Sequence, residues 1–206
     1  MLAAHFSRRE LPRYKRISSA MGPTAVPSSF EIACWFLDRA IEDSEYLQPQ
    51  KLHRLMYLAQ AYYGVLQHGA KLMPATFVAA DEGPIEPTLF RVFARGRPMI
   101  DLSPIDEVPR HILDSVWRQF GAHSVDYLNK LIKRHPPYAD ALAVAVNAEI
   151  SFEGMVDFYG TQGLSRKSSA MASEAPSAAK VLRPKVMRNH SGKPVSATRW
   201  MPKRVD

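Results

Sequence analysis

The sequence predicts a mainly α, compact domain of about six or seven helices, with at most a short strand or hairpin, flanked by disordered tails. Apolar residues recur at helical spacing between residues 30 and 160, whereas both ends lack such spacing. With 46% apolar residues, a chain of 206 residues can bury one core. We therefore divide the chain into a basic N-terminal arm at 1–29, a helical domain at 30–160 and a basic C-terminal tail at 161–206.

Net charge is unevenly distributed along the chain. The arm has five Lys or Arg residues and one acidic residue, a net charge of +4, and the tail has ten and two, a net charge of +8. Because the whole chain is +7, the domain between them is −5. Segments with high net charge and few apolar residues cannot offset the entropy lost on ordering, so both ends are predicted to be disordered. Met21 is an alternative start, and an organelle transit peptide is an alternative interpretation of the Arg-rich arm.

The compartment follows from the cysteine content and the hydropathy pattern. Cys34 is the only cysteine, so the chain cannot form an internal disulfide, which favours a reducing compartment. The sequence contains no run of about eighteen apolar residues and no apolar core of a secretory signal. We expect a cytoplasmic protein that does not enter a membrane.

The first two helices have clear start signals. Ser28 and Glu31 have the spacing of a capping box, so a helix should begin there. A second helix should open at Pro49, where the missing N–H is tolerated, and end before Gly69. The predicted buried face of the first helix consists of Phe30, Ala33, Cys34, Leu37, Ala40 and Ile41.

The remaining predicted elements are shorter. Residues 77–79 form an apolar run that predicts one strand, and residues 81–84 read as a turn. Helix start signals and apolar spacing then predict a short helix from Pro87 and further helices over Pro109–Phe120, Val125–Lys133, Tyr138–Ala148 and Ser151–Tyr159.

No motif for catalysis, cofactor binding or metal binding stands out. Cys34 lies on the apolar face of the first helix without a neighbouring base, which is typical of an inert buried thiol. The seven histidines lack the spacing of a zinc site, and the glycines are isolated rather than grouped in a phosphate-binding loop. We therefore expect a protein that is not an enzyme and that has no cofactor.

A pattern in the second helix and in the turn after it resembles a known family. Residues 50–60 read Gln-Lys-Leu-His-Arg-Leu-Met-Tyr-Leu-Ala-Gln, and residues 79–87 read Ala-Ala-Asp-Glu-Gly-Pro-Ile-Glu-Pro. This pattern resembles the Panacea domain of SocA-like antitoxins and GepA-like prophage proteins, in which a Leu-Gln-Lys-Leu-Leu-Tyr helix precedes an Ala-Trp-x-x-Gly-Pro-Val turn. The positions that carry the resemblance, or depart from it, are Leu52, His53, Arg54, Leu55, Tyr57, Gln60, Ala80, Gly83, Pro84 and Ile85.

The resemblance implies an antitoxin-like, protein-binding function. Members of this family neutralise a cognate toxin by direct contact, and in some of them an AAA+ protease is a further partner. His53, Arg54, Tyr57 and Gln60 have polar tips on or beside the core stripe of the second helix, so they are the interface candidates. Leu52, Leu55, Gly83 and Pro84 are expected to provide packing and the turn.

Ala80 stands where the family usually has a tryptophan. Removing an indole leaves a space of aromatic size, and empty core space costs on the order of a few kcal/mol. We expect either that Phe77 or Phe90 fills this space or that the packing around it is rebuilt.

Nucleic-acid binding through the basic ends is the alternative function. Lys and Arg residues in flexible tails can neutralise phosphates and release counterions, which gives weak nonspecific binding. The negative charge of the domain between them opposes binding to a duplex. This alternative is a nucleic-acid-associated regulator that acts through its tails.

Overall fold

The computed structural model describes residues 23–94, 96–161, 175–183, 187–188 and 194–195. Within these ranges, eight helices and five short strands confirm the predicted mainly helical fold. Expectations about residues 1–22, including Met21 as a start, lie outside the described residues. The helices are α1 Ser29–Glu42, α2 Pro49–Leu66, α3 Pro87–Phe93, α4 Glu107–Phe120, α5 Val125–Lys133, α6 Pro136–Val144, α7 Phe152–Thr161 and α8 Ala178–Leu182. The strands are β1 Val78–Ala80, β2 Gly83–Ile85, β3 Ala148–Glu149, β4 Met187–Arg188 and β5 Pro194–Val195.

Helix α2 is the centre of the fold. Every residue from Leu52 to Gly64 is buried, and the helix contacts α1, α4, α5, α7, α8 and β2. A helix that is buried on all sides is a core helix rather than an amphipathic surface helix. Gly64 allows α7 to approach closely, since a Cβ there would lie 2.7 Å from Val156 Cγ2 and 2.8 Å from Phe152 Cζ.

Helix α1 begins with the predicted capping box. Ser28 Oγ accepts a hydrogen bond from the backbone N–H of Phe30 at 3.2 Å, and Glu31 Oε2 accepts one from the backbone N–H of Ser28 at 3.0 Å. The buried face, however, is rotated from the predicted one. It includes Ile32 and Phe36 together with the predicted Ala33, Cys34 and Ala40, while Ile41 is 67% exposed.

A small antiparallel sheet lies beside α2. Its strand order is β2-β1-β3, and Val78 is paired with Ile85 on one side and Glu149 on the other. The predicted turn at residues 81–84 is therefore the end of a hairpin, in which residues 83–85 form β2. Strand β3 was not predicted, because two residues are too short to show an alternating pattern.

Segments on both sides of the domain also pack against it. Val26 is 2% exposed, and its N–H donates to the carbonyl oxygen of Leu72 at 3.0 Å. Helix α8 packs on α4 and α2, with Val181 fully buried. The sequence predicted a disordered tail at 161–206 and did not predict α8, which packs against the domain. No helix in the described ranges combines the length and the apolar character needed to cross a lipid bilayer.

Candidate functional site

Arg54 joins α2 to the hairpin and to α5. Its side chain is 1% exposed, its Nε donates to Asn129 Oδ1 at 2.8 Å, and its Nη1 donates to the Pro84 carbonyl oxygen at 3.2 Å. Its Nη2 donates to the carbonyl oxygen of Glu82. A guanidinium can serve three acceptors at once because its donors project in fixed directions from one plane. Burial lowers the pKa of Arg54 to about 10, so the group stays charged at neutral pH.

Gly83 provides the space that Arg54 occupies. A Cβ at this position would lie 2.7 Å from both Nε and Nη2 of Arg54, closer than real Cβ contacts. The φ angle of Gly83 is also +124°, in a region that residues with a side chain rarely adopt. The Gly-Pro turn and Arg54 therefore form one unit, in which each depends on the shape of the other.

Gln60 holds the loop that follows α2. Its Oε1 accepts hydrogen bonds from the backbone N–H groups of Leu72 and Met73, each at 3.1 Å. Its Nε2 donates to the Met73 carbonyl oxygen, also at 3.1 Å. Since Leu72 in turn bonds to Val26, this side-chain amide connects α2, the loop and the segment before α1.

His53 holds the start of α3. Its Nδ1 accepts a hydrogen bond from the backbone N–H of Glu86 at 3.2 Å, so this nitrogen carries no proton. The carboxylate of Glu86 caps α3 by accepting from the N–H of Leu89 at 2.6 Å. Burial, together with the charge of Arg54, lowers the pKa of His53 to about 4.

Tyr57 belongs to a buried aromatic cluster. Its ring centroid lies 5.6 Å from that of Phe77 and 6.3 Å from that of Tyr159, both in edge-to-face geometry. Tyr159 Oη lies 2.8 Å from Nδ1 of His135, which is fully buried. Burial raises the pKa of the Tyr57 hydroxyl and lowers that of His135 to about 4.

Tyr138 contacts the backbone of Ala80. Tyr138 donates its hydroxyl hydrogen bond to the carbonyl oxygen of Ala80 and is 1% exposed. Phe77 is buried against Tyr57, whereas Phe90 is 57% exposed and lies beside the ring of His53. Of the two expected aromatic residues, Phe90 therefore does not enter the core.

The structure brings the residues of the sequence pattern together around α2, but it buries most of them. His53, Arg54, Tyr57 and Gln60 were interface candidates, yet each is at most 4% exposed. Because α2 is covered on all sides, these side chains lie in the interior. Three of the four form hydrogen bonds with backbone or side-chain groups inside the domain. The other residues of the pattern divide into the buried Leu52, Leu55, Gly83 and Pro84 and the partly buried Ala80 and Ile85.

Apolar side chains lie along α1, on α3 and in the loop after α3. Phe30 and Phe93 are partly buried against the core, and Met99 and Ile100 are exposed. Phe30 on α1 stacks with Phe93 on α3 at 6.3 Å, and Cys34 lies one turn further along α1. Cys34 also lines a groove of about 410 Å³ with residues 97–102. In that loop Met99 is fully exposed and Ile100 is 44% exposed. We call Phe30, Phe93, Met99 and Ile100 the α1 surface.

Charged groups lie at the edge of the α1 surface. Both terminal nitrogens of Arg97 bond to the carboxylate of Asp38, with Nη2 at 3.0 Å from Oδ2. Burial raises the pKa of the Cys34 thiol, so this thiol is protonated at neutral pH. The sequence did not predict this surface, because the loop has no helical or strand periodicity. The one feature that could have indicated it is the adjacent apolar pair Met99–Ile100 in a polar stretch.

In the described ranges, no three His, Cys, Asp or Glu side chains are grouped closely enough to hold a metal ion. No protein-family model, curated protein or solved structure matches this chain.

Replacing Gly83 with Ala should destabilise the domain by about 2 to 4 kcal/mol, because the new Cβ both strains the backbone and displaces the buried guanidinium. Gly69→Ala is the matched control, since Gly69 has a φ of +91° but nothing within 4 Å of its added Cβ. The control should lose only about 1 kcal/mol. Denaturant unfolding of both variants measures the difference, and equal losses would show that Arg54 does not constrain the turn.

Stability should fall as the pH is lowered from about 6.5 to about 4. In this window an unfolded histidine of ordinary pKa 6.5 binds a proton, whereas folded His53 and His135, with pKa values near 4, do not. Proton binding therefore favours the unfolded chain, by up to about 1.4 kcal/mol per pH unit for each histidine. Urea unfolding of His53→Gln at several pH values should give a smaller slope than the unmodified chain. If this pH dependence of the free energy of unfolding does not change, His53 does not contribute to it.

Proposed function

We propose that this protein is an antitoxin-like binding module, without enzymatic activity, that neutralises a cognate toxin by direct contact in the cytoplasm. Delivery of the bound toxin to an AAA+ protease is an additional route within this proposal. The proposal draws its partner class from the resemblance of residues 50–90 to the Panacea domain. It draws its binding surface from the geometry of the folded domain.

The observation that carries the proposal is the α1 surface. Fully exposed apolar side chains such as Met99 are unfavourable in water, and clusters of them commonly mark sites of protein association. The adjacent Arg97–Asp38 pair provides a charged edge around the apolar centre, as at many interfaces. A stable complex needs about 1,200 to 2,000 Å² of total buried area, so this surface would be the centre of a larger contact.

The buried residues of the pattern have a supporting role in this proposal. Arg54 and Gln60 hold the hairpin and the loop against α2, and His53 holds the start of α3. Because Phe93 lies on α3 and Phe30 on α1, the geometry of the α1 surface depends on these internal bonds. A rigid surface binds with less loss of conformational entropy than a mobile one.

Co-expression with the neighbouring reading frame tests the proposal. The neighbour should arrest growth when it is expressed alone, and this chain should relieve the arrest and copurify with it. If the neighbour is harmless and no partner copurifies, the proposal fails. Binding to DNA that is abolished by high salt would instead favour a nucleic-acid-associated regulator, the function suggested by the net charges of +4 and +8 at the two ends.

The double substitution Met99→Asp with Ile100→Asp should weaken the complex at least tenfold, because charged groups would replace the apolar centre of the contact. Both side chains are exposed, so the free energy of unfolding should change by less than about 0.5 kcal/mol for each. Val144→Asp with Val146→Asp is the matched control, since these residues are 82% and 56% exposed at the end of α6. Titration calorimetry with the partner compares the two, and a loss confined to the control would place the interface near α6.

A further inference from the structure

Residues 175–183 lie on a groove between α2 and α4, and we call this segment the latch. Its helix α8 is capped by Ser177, contacts both α4 and α2, and places Val181 in a fully buried position. The backbone carbonyl of Pro176 accepts a hydrogen bond from the hydroxyl of Tyr62 on α2 at 2.7 Å. Ala178 and Leu182 pack partly buried against the core. The latch thus uses a small apolar face and one directed hydrogen bond.

The groove has the features of a peptide-binding site. Tyr62 and Phe120 stack with their ring centroids 5.9 Å apart, which joins α2 to the end of α4 with an aromatic pair. The Tyr62 hydroxyl is the polar group beside it, and burial raises its pKa, so it remains a donor at neutral pH. An apolar floor with a single directed donor for a backbone carbonyl is typical of grooves that bind short helical segments.

The helix of the latch depends on its contacts with the domain. Its helix has five residues, and a helix of that length is not stable in water without tertiary contacts. It is joined to α7 only through residues 162–174, thirteen residues that can span at most about 43 to 47 Å. Elements with few buried contacts open at a lower free energy than the global unfolding of the domain. Detachment would uncover Tyr62 and leave its hydroxyl without the Pro176 carbonyl.

We propose that the latch is an autoinhibitory contact, and that the groove beneath it binds a short helix of a protein partner with the same pattern. That pattern is a proline carbonyl followed by small residues and then a Val-Leu pair, because these are the groups that the groove holds in this structure. The latch competes with the partner helix for Tyr62 and for the site of Val181. This inference goes beyond toxin neutralisation, since it concerns α2, α4 and α8 rather than the residues of the α1 surface.

The linked latch has a concentration advantage over a separate peptide. Tethering through a connection of thirteen residues gives an effective concentration on the order of 1 mM, so a free peptide competes poorly with the intact latch. Weakening the latch should therefore increase the affinity of the groove for the same sequence supplied in trans.

The test uses a fluorescent synthetic peptide with the sequence of residues 174–184 and the full chain. Val181→Asp should release the latch, so this variant should bind the peptide at least tenfold more tightly than the unmodified chain does, measured by fluorescence anisotropy. Lys180→Asp is the matched control, because the neighbouring Lys180 is exposed and its substitution leaves the buried face intact. A peptide with Asp at the position of Val181 should not bind either protein.

Two further measurements keep the test decisive. If Val181→Asp does not fold, a protease site placed within residues 162–174 of the full chain allows the latch to be cut from the folded domain, and cutting should raise peptide binding in the same way. Adding Tyr62→Phe to the released chain should weaken peptide binding several-fold, because the Pro176 carbonyl of the peptide loses its hydrogen-bond donor.

Failure of the peptide to bind the released or cut chain, or equal binding before and after release, would overturn the proposal. Neither result bears on toxin neutralisation, which is measured by growth rescue.

Discussion

The buried guanidinium of Arg54 is the constraint on which the arrangement around α2 depends. A charge taken out of water must be compensated, and the compensation here comes from two backbone carbonyls of the hairpin turn and from Asn129 on α5. The turn can present these carbonyls only because Gly83 has no side chain. The hairpin, α2 and α5 are therefore held in one relative position, and β3 and α6 are placed by their contacts with β1.

Side-chain bonds to the backbone are a common principle in this domain. Gln60 satisfies three polar groups of the loop at 72–73, His53 accepts from the backbone at the start of α3, and Tyr138 donates to the end of β1. These bonds fix irregular segments that have few regular hydrogen bonds of their own. The result is an interior with polar residues whose role is to position loops. The α1 surface and the latch groove are built from different elements, the first from α1, α3 and the loop after α3 and the second from α2 and α4.

Most of the fold could be predicted from the sequence, because its signals are local. The capping box at Ser28 and the helix start at Pro49 involve neighbours within one turn, and both are present in the structure. The roles of Arg54 and Gln60 could not be predicted in this way. Their partners are mostly backbone groups, and all lie 12 to 75 residues away along the chain, so no local sequence pattern marks them. The polar tips therefore suggested a surface position. Helix α8 was missed for a related reason, since docking rather than periodicity stabilises it.

The central position of α2 has a consequence for synthesis of the chain. This helix is complete at Leu66, but α7, the helix that packs closely against Gly64, does not begin until Phe152. At about 5 to 20 residues per second, the ribosome needs several seconds to supply the missing helix. During that interval a helix that is buried on all sides in the folded domain has no complete cover. The apolar side chains of α2 that α7 covers in the folded domain therefore stay in contact with solvent until the ribosome has made residues 152–161.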